Sequence, residues 1–250
     1  MRVGAEGGRR ATLALWPFAV QGINGWLAHA ALPSAAVAPA PAGVRPRGAA
    51  PGSYADRVTA DDQRLFRLVD AAEDRPRKRR ATVRVILVDE ADRTLLFEDS
   101  DPGLPEFRWW VVPGGGMDPG ETEVETAVRE VAEETGYALS AEDLRGPVAR
   151  RHVVHGYSDQ VIEQDESFFV ARVSAFEVDV AGHTEEEQLT LQQSRWWDRQ
   201  ALADTDEWIW PARLLELWDL ADDPGAWPLQ LGHQEESTWP DGASGPAPVS

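Results

Sequence analysis

Cysteine is absent from the 250-residue chain. Its absence excludes disulfides, thiolate zinc sites, iron–sulfur clusters and cysteine nucleophiles, and leaves any metal to oxygen or imidazole ligands. It also accords with a cytoplasmic protein. Basic residues are scarce: 24 Lys and Arg stand against 43 Asp and Glu, a formal net charge of -19. A surface of that sign repels a polyphosphate backbone, so a nucleic-acid polymer is not an expected partner. A small anionic ligand stays compatible, because a bound divalent cation reverses the local field. No apolar run reaches the ~18 residues of a membrane-spanning helix, so no membrane partner is expected. There is no internal repeat.

The first part of the chain differs from the rest. From Ala35 to Gly52 it reads AAVAPAPAGVRPRGAAPG, the composition of a flexible linker. Before it, Arg9 and Arg10 precede the apolar run ATLALWPFAV, a pattern that invites a signal peptide. Gln21, Asn24 and Gly25 interrupt that pattern, so residues 1–59 are read as a flexible leader and the cytoplasm as the expected location. Residues 60–80 read as a short amphipathic helix, with Leu65, Leu68 and Val69 on one face. A basic linker containing Arg75, Arg77, Lys78, Arg79 and Arg80 follows it.

An organised domain is expected over 81–222, followed by a loosely ordered, acidic tail over 223–250. TVRVILV from Thr82 and TLLF from Thr94 predict a hairpin, and FRWWVV from Phe107 a third strand. A helix is predicted over 121–135, strands over 148–155 and 167–173, and a closing helix over 211–220, with Arg195-Trp196-Trp197 ending the sheet. This order implies an α+β fold, an α/β/α sandwich around a sheet of mixed strand direction.

The stretch PGGGMDPGETEVETAVREVAEETGY, from Pro113 to Tyr137, carries the chemistry. Three successive glycines after a strand let the main chain approach a ligand or ion closely. Thr122 and Glu125 form a capping-box pair at the start of the helix, and Gly136 stands where a left-handed C-terminal cap belongs. At ~100° per residue, Val124, Ala127, Val128 and Val131 share one face, and Glu123, Glu130, Glu133 and Glu134 another. Carboxylates gathered this way repel one another unless a cation joins them, and hard oxygen ligands suit Mg²⁺ or Mn²⁺. Glutamate runs on helices are also commonly solvated faces, so the helix alone does not decide.

The full spacing is more specific. Gly115, Glu121, Arg129-Glu130-Val131, Glu133-Glu134 and Gly136-Tyr137 match every fixed position of G-x5-E-x7-R-E-U-x-E-E-x-G-U, where U is bulky and apolar. The segment therefore resembles the signature of the Nudix hydrolases, with an aromatic Tyr137 where an aliphatic is commoner. The resemblance extends more weakly over about 81–220 and covers neither leader nor tail. It implies a loop–helix–loop that holds divalent cations, Mg²⁺ or Mn²⁺, against a diphosphate. Glu133 and Glu134 would be the principal ligands, Glu130 a further ligand or the residue orienting water, and the carbonyl of Gly114 or Gly115 another ligand. Arg129 would be structural, and Glu121 a ligand or Arg129's partner, with the second favoured; Gly136 would be structural.

The general base in this family can lie on a later loop. Glu187 aligns best by its spacing to Arg195, with Glu163 and Glu166 as rivals, and a solvated turn is the bland alternative for the run Glu185–Glu187. The expected reaction is hydrolysis of a nucleoside diphosphate joined to another moiety, either a nucleoside triphosphate, oxidised ones included, or an ADP-ribose-like sugar. A non-catalytic nucleotide sensor is the alternative, disfavoured by the intact box. Neither the extra element of NADH-type members nor the companion motif of coenzyme A-type members is present. Arg84, Arg150 and Arg151 are candidates for gripping a phosphate, and Phe107, Trp109, Tyr157, Trp208 and Trp210 for stacking on a base, with Arg84 and Trp109 put forward. With 11 tryptophans in the chain, most must serve packing. Members of that family often dimerise, so a homodimer stays open.

Overall fold

The computed structural model describes residues 68, 69, 71–243 and 247. The leader over 1–59 and most of the helix expected within 60–80 lie outside them. Strand β1 (Arg77–Val88) runs parallel to β5 (Val161–Arg172), paired residue for residue from Arg77↔Val161 to Val88↔Arg172. Its second half is buried on both faces, Val83, Val85 and Leu87 toward one side and Ile86 and Val88 toward the other. A strand covered on both faces reads as a continuous apolar run, which is why VRVILV shows no alternation.

The split in the sheet positions the site. Strand β2 (Arg93–Asp101) gives one edge to β6 (Gln193–Asp198). Its other edge is shared: Thr94 pairs with Val88 of β1, and from Phe97 onward the partner is β3 (Leu104–Val111). β1 and β3 therefore diverge, and the glycine segment after β3 runs back along β1. Val85 N donates to Pro113 O (2.8 Å), Val83 N to Gly115 O (3.0 Å) and Met117 N to Ala81 O (3.0 Å). Gly114 has φ 135°, and a Cβ there would lie 2.1 Å from Val83 O, so only glycine fits this approach.

Helices cover both faces. On one, helix α1 (Glu123–Thr135) packs Ala127 and Val131 on Val83, Val85, Leu87 and Phe169. On the other, helices α3 (Arg199–Asp204) and α4 (Leu214–Asp219) add Leu202, Leu214, Leu217 and Trp218 to Ile86, Phe168, Val170 and Trp197. Strands β4 (Leu144–Gly156), β7 (Trp208–Trp210) and β8 (Leu229–Glu235) complete an eight-stranded sheet, ordered β7-β3-β2-β1-β5-β4-β8, with β6 on β2. Parallel and antiparallel pairs both occur, so the fold is the expected α/β/α sandwich around a mixed sheet. Among the described residues no helix is long and apolar enough to cross a membrane.

Three boundaries differ from expectation. Arg77–Arg80 are the first residues of β1 rather than a linker, because cross-strand pairs such as Arg77–Glu163 (2.8 Å) and Arg79–Asp165 (3.0 Å) accommodate their charge. Arg195-Trp196-Trp197 does not end the sheet, since β7 and β8 follow. Residues 229–235, expected in a loosely ordered tail, are β8, parallel to β4. Beyond β8 the chain stays anchored: Thr238 Oγ1 donates to buried Asp101 (2.5 Å), Arg75 donates to the Trp239 carbonyl (2.9 Å), and Trp239 packs on Leu104 and Phe107. These partners are distant in sequence, and β8 itself carries Gly232 and several exposed polar side chains, so its local signal is weak.

Candidate active site

The site begins with the ends of α1. Thr122 caps the helix and closes a capping box with Glu125; Gly136, at φ 72°, ends it by donating to Ala132 O (3.0 Å). The caps fix the length of α1, and contacts from Arg129 to the Gly116 carbonyl and from Gly114 N to Glu134 hold it against the glycine segment.

Arg129 organises the carboxylates. Its guanidinium takes both oxygens of Glu121 (2.8 and 2.9 Å), Glu130 Oε1 (2.7 Å), Glu133 Oε2 (3.0 Å) and the Gly116 carbonyl (2.9 Å). The hydrogen bonds from Arg129 hold the Glu121 carboxyl at about 2. Glu133 lies outward on the same guanidinium, its side chain 41% exposed.

Glu130 and Glu134 are one turn apart, both buried, and face the loop. Glu134 Oε2 accepts from Gly114 N (2.8 Å). Glu187 reaches them from a different element. The acidic run Glu185–Glu187 begins helix α2 (Glu185–Thr190) and is not a turn; Thr184 and Glu187 form its capping box. Single oxygens of Glu130, Glu134 and Glu187 all lie within 4.8 Å of one another. Burial pushes the Glu130 carboxyl up to about 6, with Arg129 opposing and Glu133 and Glu187 adding to the rise. Burial, then the charges of Glu130 and Glu187, push Glu134 well above the carboxylate range. Three hard oxygen donors in a partly desolvated corner, destabilised by mutual repulsion, fit a divalent cation such as Mg²⁺ or Mn²⁺.

Arg84 is joined to this cluster through Gly114, and it shares a small cavity with Trp109. Arg84 Nη1 donates to the Gly114 carbonyl (2.8 Å) and Nε to Glu166 (3.3 Å). Trp109 is 2% exposed and stacks with Trp210 at 4.4 Å and with Tyr157 at 5.8 Å between centroids. With Arg84, Arg151, His155 and Glu166 these rings line a cavity of about 20 Å³, room for about one water. His155 Nδ1 lies 2.8 Å from the Glu236 carbonyl, which can only accept, so Nδ1 carries the hydrogen. Nε2 is then a buried acceptor with no hydrogen-bond partner among the described residues.

A NUDIX domain model matches residues 78–218, more than half of the chain. The chain belongs to the NUDIX family. It is 49% identical over 59 residues to a Bacillus subtilis (strain 168) protein named "Putative 8-oxo-dGTP diphosphatase", covering 23% of this chain and 36% of that one. It is 34% identical over 84 residues to an RNA pyrophosphohydrolase of Erythrobacter litoralis, covering 30% and 51%. The chain thus spans between about a third and a half of the length of these relatives. The crystal structure of a MutT protein from Methanosarcina mazei aligns at 20% identity over 60% of this chain and 95% of that one, with a TM-score of 0.40.

Within this NUDIX domain, Glu130, Glu134 and Glu187 come together, while Glu133 stays outside the group. The Gly115 carbonyl, a candidate ligand, accepts from Val83 N (3.0 Å) and the Gly114 carbonyl from Arg84. The rival bases lie elsewhere: Glu163 pairs with Arg77, and Glu166 lies between Arg84 and Arg151. Arg151, a candidate for gripping phosphate, is buried between Glu166 and Glu236 beside His155, and nothing local marks a strand arginine as buried.

Gly115 serves the site through space, not backbone angle. A Cβ there would lie 2.6 Å from the Glu130 carboxyl group, the movable end of a side chain. Gly115→Ala is therefore expected to leave the thermal unfolding midpoint within a few degrees while displacing Glu130. A displacement of that size predicts a loss of about 10²-fold in kcat, read by steady-state assay. Unchanged kcat would show that Glu130 tolerates displacement.

Proposed function

We propose that this NUDIX domain hydrolyses the diphosphate linkage of a nucleoside diphosphate joined to a further group, with Mg²⁺ or Mn²⁺ held by Glu130, Glu134 and Glu187. The observation that carries the reading is the approach of Glu187, from α2, to the two buried glutamates of α1. A helix face selected only for solubility would not draw a third carboxylate from another element onto its buried side. The names of the relatives, a diphosphatase and a pyrophosphohydrolase, support the same reaction class, and nucleoside triphosphates and ADP-ribose-like sugars are its leading substrates.

A divalent cation bound there supplies charge neutralisation at the phosphoryl oxygens and a lowered water pKa. The remaining work belongs to the chain. Arg129 ties Glu121, Glu130 and the Gly116 carbonyl into one unit, so the loop and helix present a fixed surface. Glu187 offers the cation one carboxylate oxygen, and its second oxygen accepts the proton of the attacking water. The water oxygen bonds to phosphorus, the bond to the bridging oxygen breaks, and that oxygen leaves with the departing phosphate. Glu133 accepts from the same guanidinium at the rim (3.0 Å).

The test is a phosphate-release screen of the full chain against nucleoside triphosphates, oxidised nucleotides, dinucleoside polyphosphates, ADP-ribose and NADH, each with Mg²⁺, Mn²⁺ or EDTA. Turnover of one class, abolished by EDTA, is the expected result. Saturable nucleotide binding with no turnover under any metal would overturn the hydrolase reading in favour of a sensor.

A further inference from the structure

Gly114 links two systems. Its N–H donates to Glu134 Oε2 (2.8 Å), and its carbonyl accepts from Arg84 Nη1 (2.8 Å). The Gly114 N–H shares a peptide plane with the Pro113 carbonyl, and a glycine at φ 135° has no side chain to fix the next plane, which carries its own carbonyl, against the first. The preceding peptide is tethered by Val85 N on Pro113 O (2.8 Å) and the following one by Val83 N on Gly115 O (3.0 Å). Arg84 holds the carbonyl between them.

Arg84 is itself held from behind. Its Nε faces Glu166 (3.3 Å), Glu166 takes Arg151 Nε (2.7 Å), and Arg151 Nη2 takes Glu236 (2.8 Å). Glu166 is fully buried and Arg151 nearly so, which makes the far end of this chain of contacts stiff. The side chain of Arg84 is 15% exposed and its guanidinium already engaged on two sides, a poor arrangement for seizing a mobile phosphate and a good one for bracing a loop.

We propose that Arg84 is a positioning residue for the carboxylate cluster: backed by Glu166, it fixes Gly114 so that the Gly114 N–H orients Glu134 for metal binding. The proposal rests on the reading of Glu134 as a ligand. Groups that orient metal ligands from outside the coordination shell typically alter affinity or activity by about 10–100-fold when removed.

The experiment is calorimetric titration of MnCl₂ into the full-length wild type, Glu134→Gln, Arg84→Met and Arg84→Lys, without substrate, followed by kcat and KM for each. Arg84→Met is expected to weaken Mn²⁺ binding by about 10–100-fold and to lower kcat with little change in KM. Arg84→Lys, which keeps one donor, should recover part of the Mn²⁺ affinity. Unchanged Mn²⁺ affinity with a raised KM in Arg84→Met would overturn the proposal and make Arg84 a substrate contact. Should Arg84→Met fail to fold, as judged by circular dichroism, Glu166→Gln must weaken Mn²⁺ binding in the same direction; unchanged affinity there overturns the proposal equally. Absence of saturable Mn²⁺ binding in the wild type, or binding that Glu134→Gln leaves intact, would instead remove the ligand assignment itself.

Discussion

Glu134→Gln is expected to abolish metal-dependent turnover and, in metal-free buffer near neutral pH, to raise the stability of the fold. The two effects share one cause. Glu134 is buried beside Glu130 and Glu187, and its charged form is opposed by burial first and by those two charges next. Gln keeps an oxygen to accept from Gly114 N and removes the charge, so the local structure survives. A cation in such a site contributes several kcal/mol of transition-state stabilisation, and at about 1.4 kcal/mol per tenfold its loss predicts a fall of about 10³-fold or more in kcat. The stability effect has a definite sign. A carboxyl whose folded-state pKa is raised binds its proton more tightly in the folded chain, so its contribution is full below the ordinary range, near 4.5, and is lost as pH rises through the raised value. For Glu130 that window runs from 4.5 to about 6. The metal-free wild type should therefore lose stability as pH rises through this window and beyond, and Glu134→Gln should lose less, because the raised carboxyl of Glu134 no longer contributes to the loss. Thermal melts of both proteins in EDTA from pH 4.5 to 7.5 would show converging midpoints toward low pH. Added Mg²⁺ should raise the wild-type midpoint alone. A wild type that is more stable than Glu134→Gln in EDTA at pH 7.5 would mean that the cluster is not a site of stored repulsion.

The same locality explains what could be read from the sequence. The box helix was legible because its determinants are neighbours in the chain: Thr122 and Glu125 at one end, Gly136 in the left-handed region at the other, and Arg129 no more than 8 residues from any carboxylate it holds. Glu187 was reachable only through spacing to Arg195 within the family pattern, since its meeting with Glu130 depends on how α2 lies against α1. Periodicity placed Glu133 with Glu134 on one face, yet at this resolution of angle it could not separate the residue that turns inward from the one that Arg129 holds at the rim. The aromatics were harder still. Trp109 was a candidate for stacking on a base, but it is buried and already stacks with Trp210 and Tyr157. β8 was missed because its partner, β4, lies far back in the chain and most of its side chains are polar.

The largest effect on stability is expected from Glu166→Leu. Glu166 is fully buried and accepts from Arg151 Nε (2.7 Å) and Arg84 Nε (3.3 Å), so bulk solvent cannot take over the partner of either charge. Leu would leave Arg151, 2% exposed, with Glu236 and Gln234 as its remaining partners on the far side of the guanidinium. Breaking a buried pair on one side costs about 3–5 kcal/mol, which for a domain of this size lowers the midpoint by roughly 6–20 °C. The penalty arises from the stranded cation, not from lost attraction, so the double variant Arg151→Met/Glu166→Leu should be less destabilised than the sum of the single variants. Its pH dependence runs opposite to that of the carboxylate cluster. Burial alone would raise Glu166, but the Arg151 and Arg84 charges overcome it and hold the carboxyl at about 2. A depressed carboxyl contributes stability above the ordinary value of 4.5 and loses it as pH falls toward the folded-state value. The difference between wild type and Glu166→Gln in urea unfolding should thus be constant from pH 7 to about 5 and shrink below it. A difference that instead grows as the solution is acidified, or a Glu166→Leu protein within about 1 kcal/mol of wild type, would mean that the buried arginines are carried by Glu236 and Gly114, with Glu166 a bystander between them.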